Sequence, residues 1–267
     1  MTVFHAPHAW DKGDAKTAAQ SSVQEPEFES IAHGSRHSIG LTSDGSAYSW
    51  GRSNAVGQLG RESTVETPSK QPGRIPIPTK ITRAFCSRGC STGSGHSALL
   101  DTDGRLWMAG CDRWQQLGLG SVNGGTSGYT WIDGKLWQER FVLSGSVLDL
   151  MKTKPRDSQS IRDVALGGDH TLVLASNQRD VYGFGKGGDG QLGLVGKPFV
   201  SATVKSKTLS EEQSGVLLSA ICAVQNCSVT LDINGDVRSR AGKCRTDIVE
   251  REIQKCVARA KQEGLIV

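Results

Sequence analysis

The sequence predicts an all-β repeat protein that ends in one amphipathic helix, and three observations carry that reading. Glycine is abundant, 33 of 267 residues, and it separates many short apolar runs. One stretch, His37 to Gly60, recurs in altered form along the chain. The one long helical periodicity begins at Asp247.

Residues 1–28 have no periodicity and mix His, Asp, Lys, Glu, Ala and Ser, so they read as an arm that is flexible or that orders on a partner. Asp11, Asp14, Glu25 and Glu27 argue against a transit peptide. The repeats then occupy 29–244. In the first, Ile39 and Leu41 share one strand face and run into Asp44-Gly45, a dipeptide suited to a tight hairpin because glycine takes positive φ freely. Ala47-Tyr48-Ser49-Trp50 returns to Gly51, and Gly57-Gln58-Leu59-Gly60 follows.

The columns repeat. His37-Ser38 recurs as His96-Ser97, His170-Thr171 and, weakened, Cys227-Ser228. Two residues on stand Ile39, Ala98, Leu172 and Val229; four residues on stand Leu41, Leu100, Leu174 and Leu231. The turn recurs as Gly45, Gly104 and Gly235, and the third copy (Ser176 to Asp180) is one residue longer, lacks glycine and should make a wider loop. The closing glycine is Gly51, Gly110, Gly185 and, slipped by one, Gly242. The tetrapeptide returns as Gln115-Gln116-Leu117-Gly118 and Gly190-Gln191-Leu192-Gly193, and copy four lacks it.

Read on Gly34, His37-Ser38, Leu41, Asp44-Gly45, Trp50-Gly51 and Gly57-Gln58-Leu59-Gly60, the pattern resembles the repeat of the regulator of chromosome condensation (RCC1) family over most of 29–244. The resemblance implies a β-propeller of four-stranded blades, commonly seven, around a channel. Physics agrees, since one small sheet cannot bury both faces and stacked blades can. The recurrent positions, His37, Gly45, Trp50, Gly51, Gln58, Gly60, His96, Gly104, Gly118, His170, Gln191 and Gly193, are assigned to structure. Each His is expected to make a buried hydrogen bond within its own blade, because a catalytic His is not needed once per repeat. With about four copies visible, the propeller either closes with fewer than seven blades or stays an arc capped by the arm, the last helix or a partner.

Copy two carries an aromatic insertion at 121–160, read either as a recognition surface or as an extra hairpin, Tyr129–Ile132 with Lys135–Trp137. Trp107, Trp114, Tyr129, Trp131 and Trp137 are the candidate partner-binding aromatics. Net charge is +4, and part of it lies in 61–90, where Arg61, Lys70, Arg74, Lys80, Arg83 and Arg88 outnumber Glu62 and Glu66. Four prolines make that segment read as a solvated loop. Arg74, Lys80 and Arg83 are its candidate partner contacts, and nucleic acid is only weakly suggested. The seven cysteines (86, 90, 111, 222, 227, 244, 256) follow no secretory signal and read as reduced thiols, with Cys86-x3-Cys90 and Cys222-x4-Cys227 too loose for a zinc ribbon. At 245–267, Ile248, Val249, Ile253, Cys256, Val257 and Ala260 share one helical face, Asp247 and Glu250 pair at the start and Gly264 suits the stop.

Gly183-x-Gly185-x-x-Gly188 matches a dinucleotide fingerprint in letters, but the repeat accounts for each glycine. No GxSxG, Walker or triad context occurs, so no catalytic, cofactor or metal residue is assigned. The sequence therefore reads as a non-enzymatic interaction and scaffold protein, a subunit or assembly factor whose partners are other proteins, in an intracellular, reducing compartment. No apolar run reaches the length of a membrane span. The alternative, implied by the resemblance, is a guanine-nucleotide exchange factor for a small GTPase.

Overall fold

Each repeat folds as a hairpin because its leucine strand runs into a turn that needs one left-handed residue. Gly45, Gly104 and Gly235 take φ of 82°, 73° and 84°, and their N–H groups donate to Thr42, Asp101 and Asp232. In the third copy Gln178 takes that conformation, φ 59°, and Asn177 Oδ1 accepts the N–H groups of Arg179 and Asp180. That loop closes from Ala175 to Asp180, one residue wider than its counterparts, as its length predicts.

A computed structural model describes residues 26–63, 69–88, 95–120, 137–154, 159–194, 196–210, 215–244 and 246–267. It contains four antiparallel blades in propeller arrangement. Blade 1 holds β1 (Ser30–His33), β2 (His37–Leu41), β3 (Ala47–Gly51) and β4 (Gly73–Arg74). Blade 2 holds β5 (Ile81–Cys86), β6 (His96–Asp101), β7 (Leu106–Cys111) and β8 (Trp137–Leu143), followed by a short helix, α1 (Gly145–Thr153). Blade 3 holds β9 (Ile161–Leu166), β10 (His170–Ala175), β11 (Val181–Lys186) and β12 (Phe199–Lys205). Blade 4 has three strands, β13 (Leu218–Val224), β14 (Cys227–Asp232) and β15 (Val237–Gly242), and α2 (Thr246–Gln262) follows. Strands follow sequence order across every blade, and β1, β5, β9 and β13 form the inner edge.

The core is divided among the seams. Ile39, Leu41 and Ile75 of blade 1 meet Leu99, Ala109 and Phe141 of blade 2. Leu100 and Met108 meet Val164 and Phe184; Leu172, Leu174 and Leu192 meet Ile221, Ala223 and Ala241. The last cluster joins blade 4 to Ile253, Cys256 and Ala260 of α2, so the helix occupies the place of a next blade. Each element is buried only by its neighbours, as in other repeat stacks.

The closing glycines sit opposite the repeat His: His37↔Gly51, His96↔Gly110 and His170↔Gly185. Cys227 pairs with Gly242 in the same way, and an irregularity between Thr230 and Leu231 absorbs the one-residue slip seen in the sequence. At Gly110 φ is 109°, and a Cβ would strike the carbonyl oxygen of Gly95. Gly110→Ala is therefore expected to cost about 1–3 kcal/mol, read as a lowered denaturation midpoint. An unchanged midpoint would show that the seam relaxes freely.

Two cysteine pairs correct the expectation of reduced thiols. Cys222 of β13 is disulfide-bonded to Cys256 of α2, and Cys227 to Cys244, with Cα separations of 6.1 and 5.0 Å. Each bond joins cysteines that lie far apart in the chain and that the fold brings face to face, which spacing along the chain could not show. Cys86 and Cys111 are buried free thiols. The described part of the insertion forms β8 and α1, while the hairpin expected over Tyr129–Trp137 lies outside the described residues apart from Trp137. The helix α2 starts at Thr246 with Asp247 in its first turn, and Gly264 (φ 67°) ends it as Leu265 N–H reaches back to Ala260. No helix among the described residues is long and apolar enough to cross a membrane.

Candidate interaction surfaces

The repeat histidines bond between blades, which corrects the expectation of a bond within each blade. His37 Nε2 meets Ser97 Oγ of blade 2 at 2.7 Å, His96 meets Thr171 of blade 3 at 3.0 Å, and His170 meets Ser228 of blade 4 at 2.8 Å. Ser97 and Thr171 in turn donate to the carbonyls of Gln58 and Gln116, the second residues of the tetrapeptide. A hydroxyl that donates to a carbonyl must accept from the imidazole, so His37 and His96 carry their proton on Nε2. Their Nδ1 atoms, like that of His170, are buried without a partner. Burial lowers His37 to about 4 and His96 and His170 to about 3. These are neutral seam bolts. In copy four Cys227 stands at the His position and is bonded to Cys244, the tetrapeptide is absent, and α2 rather than a blade packs on it among the described residues.

The same column defines the ends of the stack. Blade 1 presents the receiving half of a seam: Ser38 is bonded locally by His33 Nδ1 at 3.0 Å. Tyr48 and Trp50 lie on that face, where Phe28 stacks on Trp50 with ring centroids 5.2 Å apart and meets Tyr48 edge-on. No sheet covers this face among the described residues.

At the other end α2 is clamped by a charge cluster. Asp163 of β9 is fully buried and accepts from Arg83 at 2.7 Å, from both terminal nitrogens of Arg259 at 2.9 and 2.7 Å, and from the N–H groups of Val164 and Ile221. Burial pushes its carboxyl up, but the two guanidiniums and the hydrogen bonds outweigh this and hold it below the usual range. Arg83 also reaches Glu263, and Arg88 reaches Glu252 at 2.7 Å.

The candidate residues are therefore scattered. Arg83 is engaged in the clamp, while Arg74 and Lys80 are exposed. Arg61 departs from a solvated loop: it is 3% exposed and donates to the carbonyls of Ser49, Glu62 and Gln71. Trp107 donates to Asp101 within its own hairpin, and Lys186 lies over the Trp114 ring at 5.6 Å. Trp137 opens β8, half-buried; Tyr129 and Trp131 lie outside the described residues. The structure does not gather these aromatics into one patch. Asp163, Arg259 and Phe28 were missed by sequence reasoning. A charged residue inside the strand Ile161-Arg-Asp-Val-Ala-Leu was the available signal for the first.

Two family models of the regulator of chromosome condensation (RCC1) repeat match, one at residues 28–58 and 161–191 and the other at 44–100. The chain is similar to the mouse "Regulator of chromosome condensation", 29% identical over 63% of this chain and 33% of that protein. It is also similar to mouse "Protein RCC2", 30% identical over 68% of this chain and 36% of that protein. It spans about a third of these relatives' length. Among solved structures, yeast RCC1 (Prp20) bound to Kap60 superposes with a TM-score of 0.60 at 17% identity, covering 82% of this chain and 45% of that one. Prp20p from Saccharomyces cerevisiae, described with its binding properties to Gsp1p and histones, gives 0.57 at 22% identity, covering 85% and 47%. These structural likenesses establish the fold.

Proposed function

Because this chain belongs to the RCC1 repeat family, and among the described residues its stack of blades is covered by α2 on the blade 4 side and by no sheet on the blade 1 side, we propose that it is a non-catalytic interaction protein, a subunit or assembly factor of a larger complex. The observation that carries this reading is the receiving face of blade 1. Ser38, Tyr48 and Trp50 stand where Ser97, Trp107 and Ala109 or their counterparts meet a preceding blade in the rest of the molecule, and an aromatic, partly covered face of this kind anchors partners. Affinity purification from the native source is expected to yield a stoichiometric partner that Trp50→Glu loses while far-UV circular dichroism stays native. A stable, monodisperse chain that captures nothing overturns the reading.

The second reading is a guanine-nucleotide exchange factor for a small GTPase, favoured by the likeness to the mouse regulator of chromosome condensation. Its readout is accelerated nucleotide release from a panel of small GTPases at equimolar chain. Release at the spontaneous rate across the panel ends it.

A further inference from the structure

Four of the cysteines converge where α2 meets blade 4. The register Cys222↔Val229 and Val224↔Cys227 puts Cys222 and Cys227 on one face of the sheet, together with Val224 and Val229. Ile253, Cys256 and Ala260 of α2 pack on that face. The Cys222–Cys256 bond pins the middle of the helix, and Cys227–Cys244 pins the chain two residues before its start. Both bonds therefore hold one element to one sheet, while Cys86 and Cys111 of blade 2 stay unbonded.

The polar contacts of the helix can be given up. Glu252 pairs with Arg88 at 2.7 Å, Glu263 pairs with Arg83, and the Leu265 carbonyl accepts from Arg162 at 3.2 Å. When Arg259 leaves Asp163, Arg83 remains on that carboxylate at 2.7 Å, so the buried charge keeps a partner. The sulfur positions suit both oxidation states. As thiols, Cys256, Cys222 and Cys244 have the carbonyl oxygens of Ile221, Glu252 and Ala241 as acceptors at 3.4, 3.8 and 3.7 Å. Cys222 and Cys244 are half-buried, whereas Cys256 and Cys227 are buried, so each bond has one approachable side.

We propose that these two cysteine pairs are a redox latch on α2. Oxidised, they fix the helix over blade 4. Reduced, they leave it to its apolar face and ion pairs, and it opens locally, uncovering Val224 and Val229 and releasing Arg88 and Arg162. A dithiol supplies the electrons: its thiolate attacks Cys222 Sγ, Cys256 departs as thiolate, and the second thiol resolves the mixed disulfide. Per bond, two electrons and two protons reach the chain and the dithiol ends as a cyclic disulfide. Cys227–Cys244 is reduced in the same way from the Cys244 side, and a low-molecular-weight disulfide reverses both steps. In the reducing compartment that the sequence predicts, disulfides are of this transient, sensing kind. The latch acts on α2 whatever meets the blade 1 face.

Hydrogen–deuterium exchange of the full chain, read by mass spectrometry after treatment with dithiothreitol or with oxidised glutathione, tests the latch. Amides of α2 (Thr246–Gln262) are expected to exchange about a hundredfold faster in the reduced chain, while β2, β6 and β10 keep their protection. Re-oxidation should restore the slow rate. A chain carrying Cys222→Ser, Cys227→Ser, Cys244→Ser and Cys256→Ser should exchange at the fast rate under both conditions. The proposal is overturned if the oxidised chain fails to lose two hydrogen masses per bond, if α2 exchanges equally in both states, or if the Ser variant exchanges slowly. Loss of protection in every blade on reduction also overturns it, making the bonds staples of the whole fold. Partner capture enters none of these readouts, so the interaction reading stands or falls separately.

Discussion

Asp163→Ala is expected to lower the free energy of unfolding by about 3–5 kcal/mol, the range seen when one partner of a buried ion pair is removed. The carboxylate is fully buried between Arg83 and Arg259, with two backbone N–H groups completing its shell. Its loss leaves two guanidiniums beside Ile221 with only the partly exposed Glu263 as counter-charge, and Phe85, over which both lie, offers only a ring face. Asp149→Ala provides the contrast. Its ion pair with Lys152 spans 3.4 Å between side chains 77% and 64% exposed, so solvent screens it and the effect should stay within about 0.5 kcal/mol. Urea unfolding of both variants decides the matter; equal midpoints would mean that α2 is held by its apolar face alone.

Acid unfolding is expected near pH 5, before most carboxylates titrate. The seam histidines are lowered from 6.5 to about 4, 3 and 3, so the unfolded chain binds protons more readily than the folded one between those limits. Stability from these groups is complete above pH 6.5 and is lost as pH falls towards the folded values. At about 1.4 kcal/mol per unit, three histidines lose roughly 6 kcal/mol by pH 5, comparable with the whole stability of many domains. Protonation would also place an N–H on buried Nδ1 atoms that have no acceptor. Circular dichroism against pH reads the transition, and His96→Gln, which cannot protonate, should move the midpoint downward. A chain still folded at pH 4 would refute the argument.

The repeat made the blade legible from residues alone. A spacing of two sets Ile39 and Leu41 on one face, and a required positive φ sets Gly45 in the turn; both are local constraints written in adjacent residues. The divergence of copy four was also legible, since Cys227 stands at the His position and the tetrapeptide is missing. The candidate surfaces were less so. Trp107 looks like an anchor in the sequence, but Asp101, buried in its own hairpin, takes its indole N–H. Arg83 looks like a loop cation, yet it closes a cluster with Asp163 and Glu263 from blade 3 and the last helix.

What the sequence by itself determined is the repeating unit: its strands, its turns and the family to which it belongs, because hydrophobic period and backbone sign act over a few residues. Tertiary structure alone decided what joins the units. The His37, His96 and His170 bonds cross to the next blade, Cys222 finds Cys256 on a helix, and Asp163 gathers Arg83 and Arg259, because each depends on groups far apart in sequence that meet only when one element is stacked on another.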